Sequence, residues 1–311
     1  MKARYNAIDY QRAVLICLVI VVHTIHFTTL HPDLKAFINC FFMPTFLLLT
    51  AYLVKVERTV AEFARYLGKI ALPYVIMVTG YAYVTTLFPV SDGIERFDLP
   101  TLLRVIFVKP LGPYWFFHTM MICGTYYYVS FRLLRRIGTA AQMSVFAALL
   151  ILTAQYTPLL SATHAAFYAM GVGVRLMGKR IDELFRPSLW TIIPFATLAC
   201  WSGYHDWHFL SACILSFSFL SFVPRVFTAM KSQQLLRWAG FLGRNTLPVY
   251  LFHPIFTMAA KHAVPFFTFD PTGFAHVVAT VALGVAGSYV IALTLDKTRL
   301  SYVFGRPSLV R

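Results

Sequence analysis

Apolar runs long enough to cross a bilayer recur along the whole chain, separated by short polar connections. A hydrocarbon core of roughly 30 Å needs about 20 apolar residues in helical form. On that measure the pattern predicts ten spans, over residues 13–30, 36–54, 70–88, 112–131, 141–157, 163–178, 188–204, 208–224, 245–262 and 274–295, the fifth and sixth being short. No polar block large enough for a separate soluble domain remains. Residues 1–311 therefore read as a single all-α domain, a polytopic integral membrane bundle of about ten transmembrane helices. Three connections are long enough to hold structure of their own. Residues 55–69 mix charged and apolar positions at helical spacing, and residues 225–244 read as a basic loop. Residues 89–111 carry Asp92, Glu95 and Asp98 ahead of a short apolar helix, LPTLLRVIFV, predicted to be re-entrant or interfacial. Pro44, Pro73, Pro158, Pro194, Pro224, Pro248 and Pro254 lie in or beside spans, where proline bends a helix.

Composition sharpens this picture. A mean hydropathy of +0.67, with 59% hydrophobic and 13% charged residues, excludes an ordinary soluble domain. The formal charge of +15 would suit a nucleic-acid binder, but its distribution argues for a membrane topology. Lys35, Arg96, Arg104, Lys109 and Lys261 fall on one side of the ten spans and Arg175 inside one, which leaves 21 of the 27 Lys and Arg on the side of the N-terminus. This is the positive-inside asymmetry. It predicts cytoplasmic termini, a multi-pass protein of the inner (plasma) membrane, and no nucleic-acid partner. The first span lacks a small-residue cleavage site and follows Asp9, so it reads as an uncleaved anchor. Cys17, Cys40, Cys123, Cys200 and Cys213 all lie in apolar spans without a C-x-x-C pair, which favours neither disulfides nor a metal site.

Ionisable groups at membrane depth are costly and mark functional positions. Arg12 and His23 share the first span. Eleven residues return to within about 20° of the same helix face and rise roughly 16 Å. A guanidinium at the headgroup boundary and an imidazole near the midplane thus lie on one stripe, with His26 a turn beyond. Asp9, three residues before Arg12, is placed to hold it. The alternative is a snorkelling arginine and a bundle histidine whose hydrogen bonds are satisfied. Further along, Thr50 and Ala51 permit close helix approach. Arg65 and Lys69, a turn apart before Pro73-Tyr74, suit the phosphates of an anionic cofactor, or belong to the general cytoplasmic charge. Trp115 opens an aromatic belt that leaves His118 unexplained. Tyr250 and His253 share a face beside Pro254, in a functional or a structural role, and Arg175 reads as snorkelling.

Together these segments resemble the acyltransferase-3 family of membrane-bound O-acyltransferases. The family's first helix carries an acidic residue and then Arg-x10-His, matched by Asp9, Arg12 and His23. Its Met-Pro-x-Phe-Phe-x-x-Ser-Gly-Tyr helix is resembled by Met43, Pro44, Phe46, Leu47, Thr50, Ala51 and Tyr52, with Thr-Ala in place of Ser-Gly. Basic residues before a Pro-Tyr pair correspond to Arg65, Lys69, Pro73 and Tyr74, here spaced Arg-x3-Lys, and the Trp-Phe helix start to Trp115 and Phe116. A late Gly-x-x-Ser/Thr-x-x-x-Tyr-Leu-x-His signature is matched by Gly243, Thr246, Tyr250, Leu251 and His253. The likeness runs from residue 5 to about residue 256. Size and the opening YNAIDYQRAV most resemble the compact, fucose 4-O-acetylase-like branch.

The resemblance implies an O-acyltransferase that moves an acyl group, acetyl first among them, from cytoplasmic acetyl-CoA to a hydroxyl of a cell-envelope glycan or lipid-linked sugar. Polysaccharide-synthesis proteins are candidate partners, and no metal is called for. On that reading Arg12, Arg65 and Lys69 meet CoA, and His23 acts as the base or acyl carrier. Tyr250 or His253 steadies the oxyanion, and residues 89–114 receive the sugar. The rival class is a transporter or flippase of a lipid-linked glycan, with His23, His253 and Arg175 lining a passage. The absence of evident repeat halves counts against it. A non-catalytic assembly partner in a polysaccharide export complex is the third class.

Overall fold

The structure is a computed structural model and describes residues 6–88, 93–201, 203 and 208–311. Lys2, Arg4, Tyr5 and Asp92 lie outside the described residues. The described chain contains helices and no strands. In order, α1 (Asn6–His23), α2 (Ile25–Leu30), α3 (Pro32–Leu53), α4 (Val60–Leu87) and α5 (Leu99–Phe107) come first. Then follow α6 (Trp115–Tyr128), α7 (Thr139–Tyr156), α8 (Ala162–Leu176), α9 (Ile181–Leu184) and α10 (Ile192–Cys200). The last are α11 (His208–Ala229), α12 (Gln233–Arg244), α13 (Thr246–Ala260) and α14 (Phe274–Lys297). Among them α3, α4, α7, α11 and α14 are long and apolar enough to cross a bilayer.

Each predicted span contains a helix, though the limits differ for physical reasons. The first is broken at Thr24, whose backbone is extended (φ −82°, ψ 90°) and whose hydroxyl donates to the Ile20 carbonyl at 2.9 Å. A threonine bonding back into the preceding turn competes with the helical ladder. In the seventh, the α-helix among the described residues is Ile192–Cys200, with Pro194 near its start. Residues 225–244, read from sequence as a loop, instead complete α11 and form α12. Ser232 caps α12 by accepting the Leu235 amide, and Ala239, Gly240 and Gly243 are its buried positions. Three small buried residues make too weak an apolar signal for a periodicity argument to find. The helical part of 55–69 begins at Val60, where Thr59 and Glu62 form a reciprocal capping box.

Contacts gather the chain into two compact units, one of Met1–Phe46, Gly178–Arg299 and Ser308–Arg311, the other of Leu47–Met177 and Leu300–Pro307. In the first unit α1 is central, packing on α11, α12, α13 and α14. Against α12 the approach is backbone to backbone, because a Cβ on Gly243 would overlap the Asp9 carbonyl. The buried amide of Gln11 donates to the Leu220 carbonyl at 2.7 Å. Pro224, inside α11, has no N–H for that carbonyl, four residues earlier, so Gln11 supplies the missing donor. In the second unit the end of α3 meets α8 as closely. A Cβ on Gly171 would run into the Leu48 carbonyl and Ala51, which is the tight packing that Thr50-Ala51 suggests.

Two glycine substitutions should therefore move stability in opposite directions. Gly243→Ala is expected to destabilise by about 1–3 kcal/mol through overpacking. Gly80→Ala, within α4 and with nothing near its Cβ position, should gain up to about 1 kcal/mol of helix propensity. Thermal unfolding of the two variants in one detergent checks the contrast.

Candidate functional site

The stripe on α1 is built by its neighbours α12 and α13. Arg12 Nη2 donates to Thr246 Oγ1 at 2.7 Å, at the first residue of α13. The Asp9 carboxylate, largely buried, lies 3.6 Å from Arg244 Nη1 at the end of α12. The structure thus adds Arg244 to the surroundings of Asp9 and makes Thr246 an acceptor for Arg12. Both come from the Gly243–His253 segment quoted above for its family likeness.

His23 ends α1, and its ring meets that of His253 with centroids 5.2 Å apart and planes at 61°. His253 is fully buried. Its Nδ1 lies 3.0 Å from both the Val249 and Tyr250 carbonyls. The reason is written in the dipeptide His253-Pro254. Proline cannot donate to the Tyr250 carbonyl, so the neighbouring imidazole does. A carbonyl only accepts, so Nδ1 carries the proton and Nε2 of the neutral ring carries the lone pair. That Nε2 is buried and has no hydrogen-bond partner among the described residues. His23 is anchored in the same way, Nδ1 lying 2.6 Å from the Val19 carbonyl, which makes its Nε2 the proton-accepting nitrogen. Tyr250 is buried, with its ring centroid 6.2 Å from that of His253. Arg12, His23, Tyr250 and His253 all belong to the first unit.

Arg65, Lys69, His118, Arg175 and the 89–111 segment fall in the second unit. Arg65 and Lys69 are exposed on α4. The Lys69 carbonyl, orphaned by Pro73, accepts from Arg306 Nη2 at 3.1 Å, and the Arg58 guanidinium stacks 4.2 Å above the Tyr66 ring. Arg175 donates to the Tyr52 carbonyl and to Glu57, each at 3.2 Å. The segment 89–111 does contain a short helix, α5, with Leu99, Leu103 and Phe107 exposed and Val105 and Ile106 buried. Two candidates now have a structural account. The Tyr74 hydroxyl donates to the Ile106 carbonyl at 2.6 Å, and His118 Nε2 reaches the Phe107 carbonyl at 3.0 Å. Both satisfy last-turn carbonyls of α5 that no helical amide can reach. Gln11 and Arg244 escaped the sequence reading. Pro224 was the available signal for Gln11, since a proline in an apolar helix announces a carbonyl in need of a donor.

The sequence model of a family described as an acyltransferase domain (Acyl_transf_3) matches residues 5–293. No curated protein matches the chain, and no solved structure does.

If Tyr74 and His118 serve α5 and nothing else, Tyr74→Phe and His118→Phe should each cost about 1 kcal/mol, the net worth of one hydrogen bond. The loss should appear as faster amide exchange confined to α5. Loss of acyl transfer with unaltered α5 exchange would assign them to chemistry instead.

Proposed function

The chain belongs to the acyltransferase-3 family, a membership that makes it a membrane acyltransferase, and from that premise we propose that it is an O-acyltransferase using cytoplasmic acetyl-CoA to acylate a hydroxyl of an envelope glycan or lipid-linked sugar. The proposal places it in the inner membrane, with about ten spans and cytoplasmic termini, in the company of polysaccharide-synthesis proteins. The fucose 4-O-acetylase-like branch is the proposed subgroup.

One observation carries the reading. An imidazole held by its Nδ1, with Nε2 as its basic nitrogen, ends the same helix that carries Arg12. His23 Nε2 takes the proton of the acceptor hydroxyl, and the alkoxide oxygen attacks the thioester carbonyl. The resulting oxyanion is met by the Tyr250 hydroxyl, since neutral His253 presents only a lone pair at Nε2. Collapse breaks the C–S bond, the thiolate of CoA leaves, and His23 returns the proton to sulfur. Acyl transfer through His23 Nε2 itself is the covalent variant of the same chemistry. Arg12 serves the anionic donor, and Arg65 and Lys69 are proposed phosphate-binding residues.

In membranes supplied with labelled acetyl-CoA, His23→Ala should lower transfer by about 100-fold or more, the usual worth of a general base. Arg12→Ala should raise the KM for acetyl-CoA about tenfold, as loss of a charge-assisted contact does. Wild-type transfer in a well-folded His23→Ala protein sinks the base assignment. Glycan movement without acetyl-CoA consumption would select the transporter class.

A further inference from the structure

Three residues beyond His23, past the break at Thr24, the first unit contains a second histidine pair. His26 on α2 and His276 on α14 lie with ring centroids 5.2 Å apart and planes at 90°. His276 is 2% exposed, and its Nε2 lies 2.9 Å from the carbonyl of Ala260, the last residue of α13. As in His253, that contact assigns the proton to the anchored nitrogen and leaves the lone pair on the other. Nδ1 of His276 is buried and has no hydrogen-bond partner among the described residues. His26 is only partly buried, so the pair runs from a dry acceptor nitrogen toward an accessible ring.

The surroundings pack closely against this pair. Gly273 has φ +72°, a conformation that favours glycine, and a Cβ there would lie 2.9 Å from Leu30 and 3.6 Å from His26 Nε2. Phe267 packs its ring 5.3 Å from that of His276. Beside the pair, His31 Nε2 lies 2.8 Å from the Thr272 carbonyl and ties the end of α2 to the turn before α14. Asp270 holds that turn, accepting the Thr272 and Ala275 amides at 2.9 and 2.6 Å. A rigid turn, an aromatic wall and a bare imidazole nitrogen suit a ligand that presents O–H donors along with apolar C–H faces. A carbohydrate does both. The phosphates and thioester carbonyl of the donor only accept, so they have nothing to give a lone pair.

We propose that His26 and His276 form the hydroxyl-binding subsite for the sugar acceptor, at the end of α1 away from Arg12. The inference rests on the acyltransferase reading above. His276 Nδ1 accepts a hydrogen bond from one sugar hydroxyl and His26 engages a second. The sugar is thereby positioned for the proton transfer at His23 without either residue taking part in it.

The test titrates alkali-de-esterified envelope glycans from the source cells against purified full-length protein at saturating labelled acetyl-CoA. His26→Phe keeps the edge-to-face ring packing and removes both nitrogens. It should raise the apparent KM for the glycans about fivefold or more, the worth of one hydrogen bond. The KM for acetyl-CoA should stay within about twofold, the signature of a lost acceptor contact. In His276→Gln the side-chain amide can still donate to the Ala260 carbonyl while its oxygen can accept, so this variant should retain more acceptor affinity than His276→Phe. An unmoved glycan KM in His26→Phe, or equal rises in the KM of both substrates, would overturn the proposal while leaving the enzyme reading intact. If His26→Phe cannot be recovered folded, equal glycan KM values in His276→Gln and His276→Phe would overturn it equally. A wild-type protein that consumes no acetyl-CoA would overturn both readings together.

Discussion

Backbone carbonyls without a helical donor organise the polar side chains of this protein. Inside an apolar bundle such a group has no water to turn to, and each one left bare costs about 1–3 kcal/mol or more. Pro73, Pro224 and Pro254 remove the helical donor from the Lys69, Leu220 and Tyr250 carbonyls, and three side chains answer: Arg306, Gln11 and His253. Helix ends create others. Tyr74 and His118 serve the end of α5, and Arg175 the end of α3. Most of the polar residues that look out of place in an apolar sequence are thus accounted for by the backbone.

That accounting also separates chemistry from support. A hydroxyl or an amide that satisfies a carbonyl has done its work. An imidazole has two nitrogens, and fixing one on a carbonyl sets the other as an acceptor of known position and known tautomer. His253 and His276 both end with a buried nitrogen that has no partner among the described residues, and each faces a second histidine, His23 or His26. Preorganisation of this kind is what a general base and a hydroxyl-binding site require, since neither must reorganise when the substrate arrives.

The cationic residues follow a different logic. Arg12 and Arg244 sit where α1, α12 and the start of α13 converge, held there by Thr246 and Asp9. Gly243 lets the α12 and α1 backbones touch, which brings Arg244 to the Asp9 carboxylate. Arg65 and Lys69, by contrast, are exposed along α4.

Much was legible in the residue order. Apolar spacing located a helix within every predicted span, the short apolar α5 stood out after polar residues, and the eleven-residue step from Arg12 to His23 placed them on one stripe of one helix. These are local properties, set by the helical repeat and by side-chain hydropathy. What the order left open was partner choice. That the first span breaks at Thr24, that α12 is a helix, that Arg12 is met by Thr246, and that Gln11 reaches Leu220 all depend on which helices approach one another. The same holds for the bare nitrogen of His276, because its anchor is a carbonyl sixteen residues away on another helix. A hydrogen bond is decided within a few tenths of an ångström between groups distant in sequence, and only the tertiary structure brings those groups to that distance.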